Sequence, residues 1–267
     1  MRGGAANWYG NTFHCHSRHG AVSLHRSLVQ SCDVFFYSLG NKLTIDGIAK
    51  WAEMTGLGSK TGIDLPGESE GLVPSPKWKL RTQRDRWYPG ETISVSIGQG
   101  ALEVTPVQLA MSIGGLAQGG RWFAPHLVKT AATPEPKHTA TWNPDNVLKV
   151  VNGMYGVVNE AGGTGTAAAI PGVTVSGKTG SAQRISNTLA KSGAAAGKDL
   201  SDNGWFVGFA PRENPEIVVA VIIEAGIHGG STAAPIAKDV IKALFDKKQR
   251  SAKPGPPNLT AMLHLSR

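Results

Sequence analysis

The stretch from Val173 to Ile223 limits the fold more than any other part of the chain. Val173 and Val175 alternate towards Lys178, Trp205, Val207 and Phe209 alternate in "NGWFVGFAP", and Ile217 to Ile223 is an unbroken aliphatic run. Period-two alternation marks a strand with one covered face, and a continuous run marks a strand covered on both. Only "RENPE" joins the second strand to the third, too short a link for a crossover helix, so the two must pair antiparallel. Helical signals lie on either side. "GAVSLHRSLVQSCDVFFYSLG" reads as helical, and Ile45, Ile48, Trp51 and Ala52 form a second amphipathic stripe. Thr105-Pro106 and Asn143-Pro144 each place a capping residue before a helix-starting proline. Ile236, Val240, Leu244 and Phe245 give a closing helix. Residues 1–20 carry no clear period, and residues 63–104, rich in Gly and Pro, are expected to be irregular. The fold class is α+β: an antiparallel sheet flanked by helices.

Length and charge add less. A chain of 267 residues can bury one sizeable core, and we read one domain over residues 1–248, followed by a basic, Pro- and Gly-containing tail over 249–267 that is expected to be disordered. Lys and Arg exceed Asp and Glu by 27 to 19, a net charge of +8, with much of the excess between Lys247 and Arg267 and no interleaved aromatics there to suggest nucleic acid. Cys15 and Cys32 are the only cysteines, so no disulfide framework is implied. "HCHSRH" lacks paired metal-ligand spacing, which argues against a zinc site. The longest aliphatic run is far below the roughly 20 residues of a membrane span, and no signal peptide opens the chain.

"GVTVSGKTGSAQ", residues 172–183, carries the chemistry and is ambiguous. Gly172 to Thr179 fits the phosphate-loop pattern G-x-x-x-x-G-K-[ST], while Lys178-Thr179-Gly180 is also the K-T-G triplet of penicillin-recognising serine enzymes. A phosphate loop needs a strand ending before its first glycine and a helix starting at its lysine. Here "VTVS" is β-branched and extended in character, and a polar loop follows Lys178, so a strand edge bearing K-T-G fits better. Such an edge could pair with a peptide backbone. Gly180 would admit it closely, Lys178 would face its carboxylate, and the hydroxyls of Thr179 and Ser181 would orient it.

"SCDVFFYSLG" at 31–40 resembles the S-x-N box of those enzymes, with Asp33 in place of asparagine. "GLGSKTGIDLPGE", "SIGQGALEVTPVQLA", "GMYGVVNEAGGTG" and "NGWFVGFAPRENPEIVVAV" are similar to further stretches of the group. Together, over residues 10–248, they resemble the class B penicillin-binding proteins of the elongation type, in which aspartate often replaces that asparagine. The resemblance implies a transpeptidase fold of the penicillin-binding protein and serine β-lactamase kind. It also implies an acyl-serine reaction that cross-links stem peptides ending in D-Ala-D-Ala, inhibition by β-lactams, and no cofactor or metal. Partners implied are membrane-embedded cell-wall elongation proteins, in the periplasm or at the outer face of the bacterial inner membrane, and no nucleic acid. By the same resemblance Ser31, Asp33 and Lys178 are catalytic and Thr179, Gly180 and Ser181 bind substrate. Ser31 relays protons, although from the tripeptide alone it reads equally as a helix cap. The second triplet, Lys60-Thr61-Gly62, reads as a turn.

One expected element is missing. The family attacks through the serine of S-x-x-K, and this sequence contains no such motif; Ser23 and Ser181 are each followed three residues on by arginine, which stays protonated and cannot act as base. The chain is therefore expected to be the C-terminal part of a transpeptidase domain, truncated on its N-terminal side. Two alternatives remain open: a non-catalytic peptide-binding module without a nucleophile, and, more remotely, a phosphate-loop nucleotide binder.

Overall fold

A computed structural model describes residues 4–129, 133–183 and 201–252. In chain order the elements are a hairpin of β1 (Ala5–Trp8) and β2 (Asn11–His14), helices α1 (Leu24–Val29), α2 (Asp33–Met54), α3 (Pro76–Gln83), α4 (Pro89–Val95) and α5 (Pro106–Ala117), a short pair β3 (Arg121–Trp122) and β4 (His138–Thr139), helix α6 (Pro144–Asn159), strands β5 (Ser176–Ala182), β6 (Asn203–Ala210) and β7 (Ile217–Ile223), and helix α7 (Gly229–Ala252). Most of the polar stretch between β5 and β6, and the tail beyond Ala252, lie outside the described residues. α7 itself continues past the boundary at 248.

β5, β6 and β7 form one antiparallel sheet in that order, with Lys178 opposite Val207 and Val207 opposite Ala220. Alternation sends the two sets of side chains to different helices. Phe206 packs against Ala233, Ala234, Ala237 and Ile241 of α7, while Phe209 packs with Val151 and Met154 of α6 and Ile113 of α5. The sheet is thus the middle layer between α7 and the α5–α6 pair. Gly177 is required by that packing, since a Cβ there would lie 2.4 Å from the Phe206 ring.

The structure corrects the sequence reading in four places. Residues 1–20 contain a hairpin, turned by Tyr9 and Gly10, both at positive φ, with Trp8 and Phe13 packed around Tyr37 of α2. Two four-residue strands are too short for a period to show. The segment around Ser31 is two helices, and α2 is itself interrupted at Thr44, where φ is 61°. The stretch 63–104 holds α3 and α4, both begun by proline after Ser75 and Tyr88, so those prolines start helices where composition suggested loops. Beside them Lys79, 5% exposed, donates to both Glu91 carboxylate oxygens at 2.8 Å and lies 3.3 Å from Asp85. Finally, α7 turns Ile236 and Val240 outward, 42% and 45% exposed, and buries Ala233, Ala234, Ala237 and Ile241. Small side chains let the helix lie close to the sheet: a Cβ on Gly229 would be 1.9 Å from the Trp205 carbonyl oxygen. Of the four residues read from the sequence, Phe245 does pack against the core and Leu244 is half-buried, while Ile236 and Val240 lie outside the buried face.

β7 is paired only with β6 among the described residues, which leaves its outer backbone edge open beside half-buried apolar side chains. An open apolar edge recruits other strands. We expect the 267-residue chain to associate reversibly as its concentration rises in sedimentation velocity runs. A strictly monomeric species up to millimolar concentration would contradict an open β7 edge.

Candidate active site

Ser31 owes its position to the way α1 ends. Its N–H donates to the Leu28 carbonyl at 3.2 Å and the next N–H, of Cys32, donates to the Ser27 carbonyl at 2.9 Å. This is the Schellman pattern, with Ser31 at the left-handed position (φ 53°) where glycine is usual. Cys32 is the N-cap of α2, so Ser31 does not cap that helix. α1 lies close on α6 because α6 presents glycines: Cβ atoms at Gly153 and Gly156 would approach Leu28 and Val29 to 2.3 and 2.7 Å. His25 adds a polar tie, its Nε2 lying 2.9 and 3.0 Å from the Glu160 carboxylate oxygens.

Docked in this way, Ser31 meets β5. Lys178 Nζ donates to Ser31 Oγ at 2.8 Å and to the Thr179 carbonyl at 2.9 Å, although 147 positions separate lysine and serine. Burial pushes the Lys178 ammonium down to about 8, and the negative charge of Asp33 partly opposes the shift. A larger share of neutral amine is then present near neutral pH, as proton transfer through a hydroxyl requires. Asp33, first residue of α2, directs its carboxylate to His16, 3.4 Å from the backbone N and 3.5 Å from Nδ1. It acts on Lys178 through charge and makes no hydrogen bond to it.

The remaining candidates line the same strand. Thr179 Oγ1 is 2.7 Å from Thr164 Oγ1. A Cβ on Gly180 would meet only the Trp205 Cβ, at an ordinary 3.4 Å, so internal packing does not demand glycine there. Ser181 is exposed, and its carbonyl accepts from Gln99 Nε2 at 2.8 Å. Thr164 and Gln99 received no role from the sequence; both sit inside "GMYGVVNEAGGTG" and "SIGQGALEVTPVQLA", stretches that signalled kinship without assigning individual residues.

The other K-T-G binds a carboxylate of its own chain. Glu68 accepts from the Thr61 hydroxyl, from the Thr61 N–H at 2.7 Å and from the Gly62 N–H at 3.1 Å, while Lys137 Nζ donates to the Lys60 and Thr61 carbonyls at 2.6 and 3.1 Å. Burial pushes the Glu68 carboxyl up, but these hydrogen bonds and the nearby Lys137 charge outweigh it and hold the group below its ordinary range.

A donor cluster lies beside Ser31. Cys15, His19 and Cys32 bring their ligand atoms within 4.8 Å of one another, as do Cys15, His16 and Asp33. Thiolate and imidazole suit a tetrahedral zinc ion, so these residues could hold one. Linear spacing concealed the arrangement because the approach to α1 and the start of α2 cross in space.

Residues 3–242 match the family model described as the penicillin binding protein transpeptidase domain. The peptidoglycan D,D-transpeptidase MrdA of Acinetobacter baumannii is 42% identical over 248 residues, 88% of this chain and 36% of that protein; its Escherichia coli K12 counterpart is 33% identical over 85% of this chain and 37% of its own length. The chain thus spans little more than a third of these relatives. The structure of Pseudomonas aeruginosa PBP2 in complex with WCK 5153 superposes with a TM-score of 0.80 at 37% identity, over 91% of this chain and 55% of that one. Helicobacter pylori PBP2, in its complex with MreC, gives 0.80 at 26% identity over 92% and 44%.

The charge coupling at Lys178 can be measured. Side-chain NMR should give Lys178 a titration midpoint near 8, and Asp33→Asn should lower it further, because the negative charge that favours the ammonium is gone. An unchanged or raised midpoint in Asp33→Asn would contradict the coupling. Separately, Glu68→Gln should lower unfolding free energy at neutral pH by about 1 kcal/mol through weakened charge-assisted hydrogen bonds. The difference from the parent should shrink as acid protonates Glu68, whose stabilising effect is present above its unfolded pKa and lost as pH falls through the folded one. Urea melts at neutral and acid pH would show it.

Proposed function

Since the chain belongs to the penicillin-binding protein transpeptidase family, we propose that it supplies the peptide groove and proton relay of a peptidoglycan D,D-transpeptidase. The observation that carries this reading is the Lys178–Ser31 hydrogen bond at 2.8 Å, which joins K-T-G to the S-x-N-like box. A stem peptide ending in D-Ala-D-Ala would lie along the outer edge of β5, its carboxylate facing Lys178 and the hydroxyls of Thr179 and Ser181, with Gly180 allowing close approach. A serine would attack the carbonyl of the penultimate D-alanine; the C–N bond breaks, the terminal D-alanine leaves with a proton relayed through Ser31, and the acyl group passes to an acceptor amine. Asp33 tunes Lys178. β-Lactams, which carry a carboxylate beside a strained amide, would enter the same groove.

The attacking serine is not supplied by these 267 residues, which contain no S-x-x-K. That observation favours a second reading, a peptide-binding module without turnover. For the fuller protein we propose action at the outer face of the inner membrane with cell-wall elongation proteins; the H. pylori complex with MreC supports such an association. No helix among the described residues is long and apolar enough to cross a membrane.

Fluorescent penicillin followed by a denaturing gel and intact mass separates the readings. We expect no adduct on the 267-residue chain and a stoichiometric adduct once an S-x-x-K segment is joined upstream. In that longer protein Lys178→Ala should slow labelling by at least about a hundredfold. An adduct on the chain itself would overturn the account of the nucleophile. Peptide binding without labelling of the longer protein would establish the binding module.

A further inference from the structure

Thr164 lies in "GMYGVVNEAGGTG", a stretch that marks kinship and to which the proposed reaction gives no part. Its loop is held on three sides. A Cβ on Gly163 would lie 2.4 Å from the Val157 carbonyl oxygen, so only bare backbone lets the loop come this close to the end of α6. The Thr164 N–H donates to the Val29 carbonyl of α1 at 3.2 Å, and the Gly165 N–H donates to the Val157 carbonyl of α6 at 3.0 Å. On the remaining side the Thr164 carbonyl oxygen faces Gly230 at the start of α7, where a Cβ would come within 2.3 Å. Clamped by α1, α6 and α7, Thr164 delivers its hydroxyl to β5, with Oγ1 2.7 Å from Thr179 Oγ1.

Neither hydroxyl has another side-chain hydrogen bond among the described residues. Each carries one proton and two lone pairs, so the pair has two arrangements. If Thr179 donates to Thr164, Thr179 Oγ1 shows only lone pairs to an arriving carboxylate and repels it. If Thr164 donates, the Thr179 proton is free for the carboxylate, and the two hydroxyls and the anion form one chain in which each bond polarises the next. A terminal carboxamide, with both a donor and an acceptor, is served by either arrangement. We infer that Thr164 is a positioning residue for carboxylate recognition: it donates to Thr179 Oγ1 and so commits the Thr179 proton to the free end of the peptide. The inference rests on the peptide-groove reading above. It ties recognition of that end to α1, because the loop that aims Thr164 hangs from Val29, two residues before Ser31.

NMR titration of the 267-residue chain with D-alanyl-D-alanine, and with the same dipeptide ending in a carboxamide, tests this. The parent should bind the carboxylate form more tightly. Thr164→Val keeps the shape and removes the hydroxyl, and should lower the carboxylate-to-carboxamide affinity ratio about fivefold, the scale of one weakened charge-assisted hydrogen bond. Thr164→Ser should hold the ratio at the parent value. A residue that merely packed the loop would weaken both ligands together and leave the ratio alone. Where Thr164→Val does not fold, Thr164→Ala gives the same reading. In a Thr179→Val background the partner hydroxyl is gone, and adding Thr164→Val should change the ratio no further. A ratio unmoved by Thr164→Val, an equal fall in Thr164→Ser, or a further fall in the double variant would overturn the inference while leaving the groove reading intact. A parent that binds both forms alike overturns the inference, and one that binds neither overturns the groove reading with it.

Discussion

The close approach of α1 to α6 is the constraint on which the candidate site depends. Gly153 and Gly156 remove the side chains that would hold the helices apart, and Leu28 and Val29 fill the space. Without that approach the turn after α1 would not reach β5. The same contact positions the loop after α6, because the Thr164 N–H donates to the Val29 carbonyl at 3.2 Å and the Thr164 side chain then meets Thr179. One helix pair therefore fixes both sides of Lys178, and the packed sheet beneath supplies the lysine from a strand whose own glycine, Gly177, makes room for Phe206.

The two K-T-G triplets show how little three letters determine. Both present a threonine hydroxyl and backbone N–H groups suited to a carboxylate. At 60–62 the neighbouring chain delivers Glu68 and the site is satisfied internally; at 178–180 the triplet lies on a sheet edge with its lysine turned towards Ser31. Context separates an internally satisfied turn from a strand edge, and the context is the strand.

Much of this was legible beforehand, for identifiable reasons. Strands β5 and β6 followed from period-two alternation and the antiparallel β6–β7 pair from the short "RENPE" link, and α5 and α6 from proline preceded by Thr105 and Asn143, whose side chains do cap. The helices α3 and α4 were hidden by composition, because proline marks loops and helix starts alike. Part of the buried face of α7, that of Ala233, Ala234 and Ala237, was hidden because alanine carries a weak hydrophobic signal. Within the site, Ser31 and Lys178 were named through resemblance, but Thr164, Gln99 and the Cys15–His19–Cys32 cluster depend on contacts between distant segments that no local pattern encodes.

Ser31 occupies a backbone conformation that a residue with a Cβ enters at a penalty, on the order of 1 kcal/mol relative to glycine. Pure folding stability would select glycine at this helix end, and glycine would delete the hydroxyl that Lys178 holds. The position is thus a point where thermal robustness and chemistry pull in opposite directions. A screen of variants for stability alone would converge on a chain that folds better and has lost the hydroxyl of the proposed proton relay.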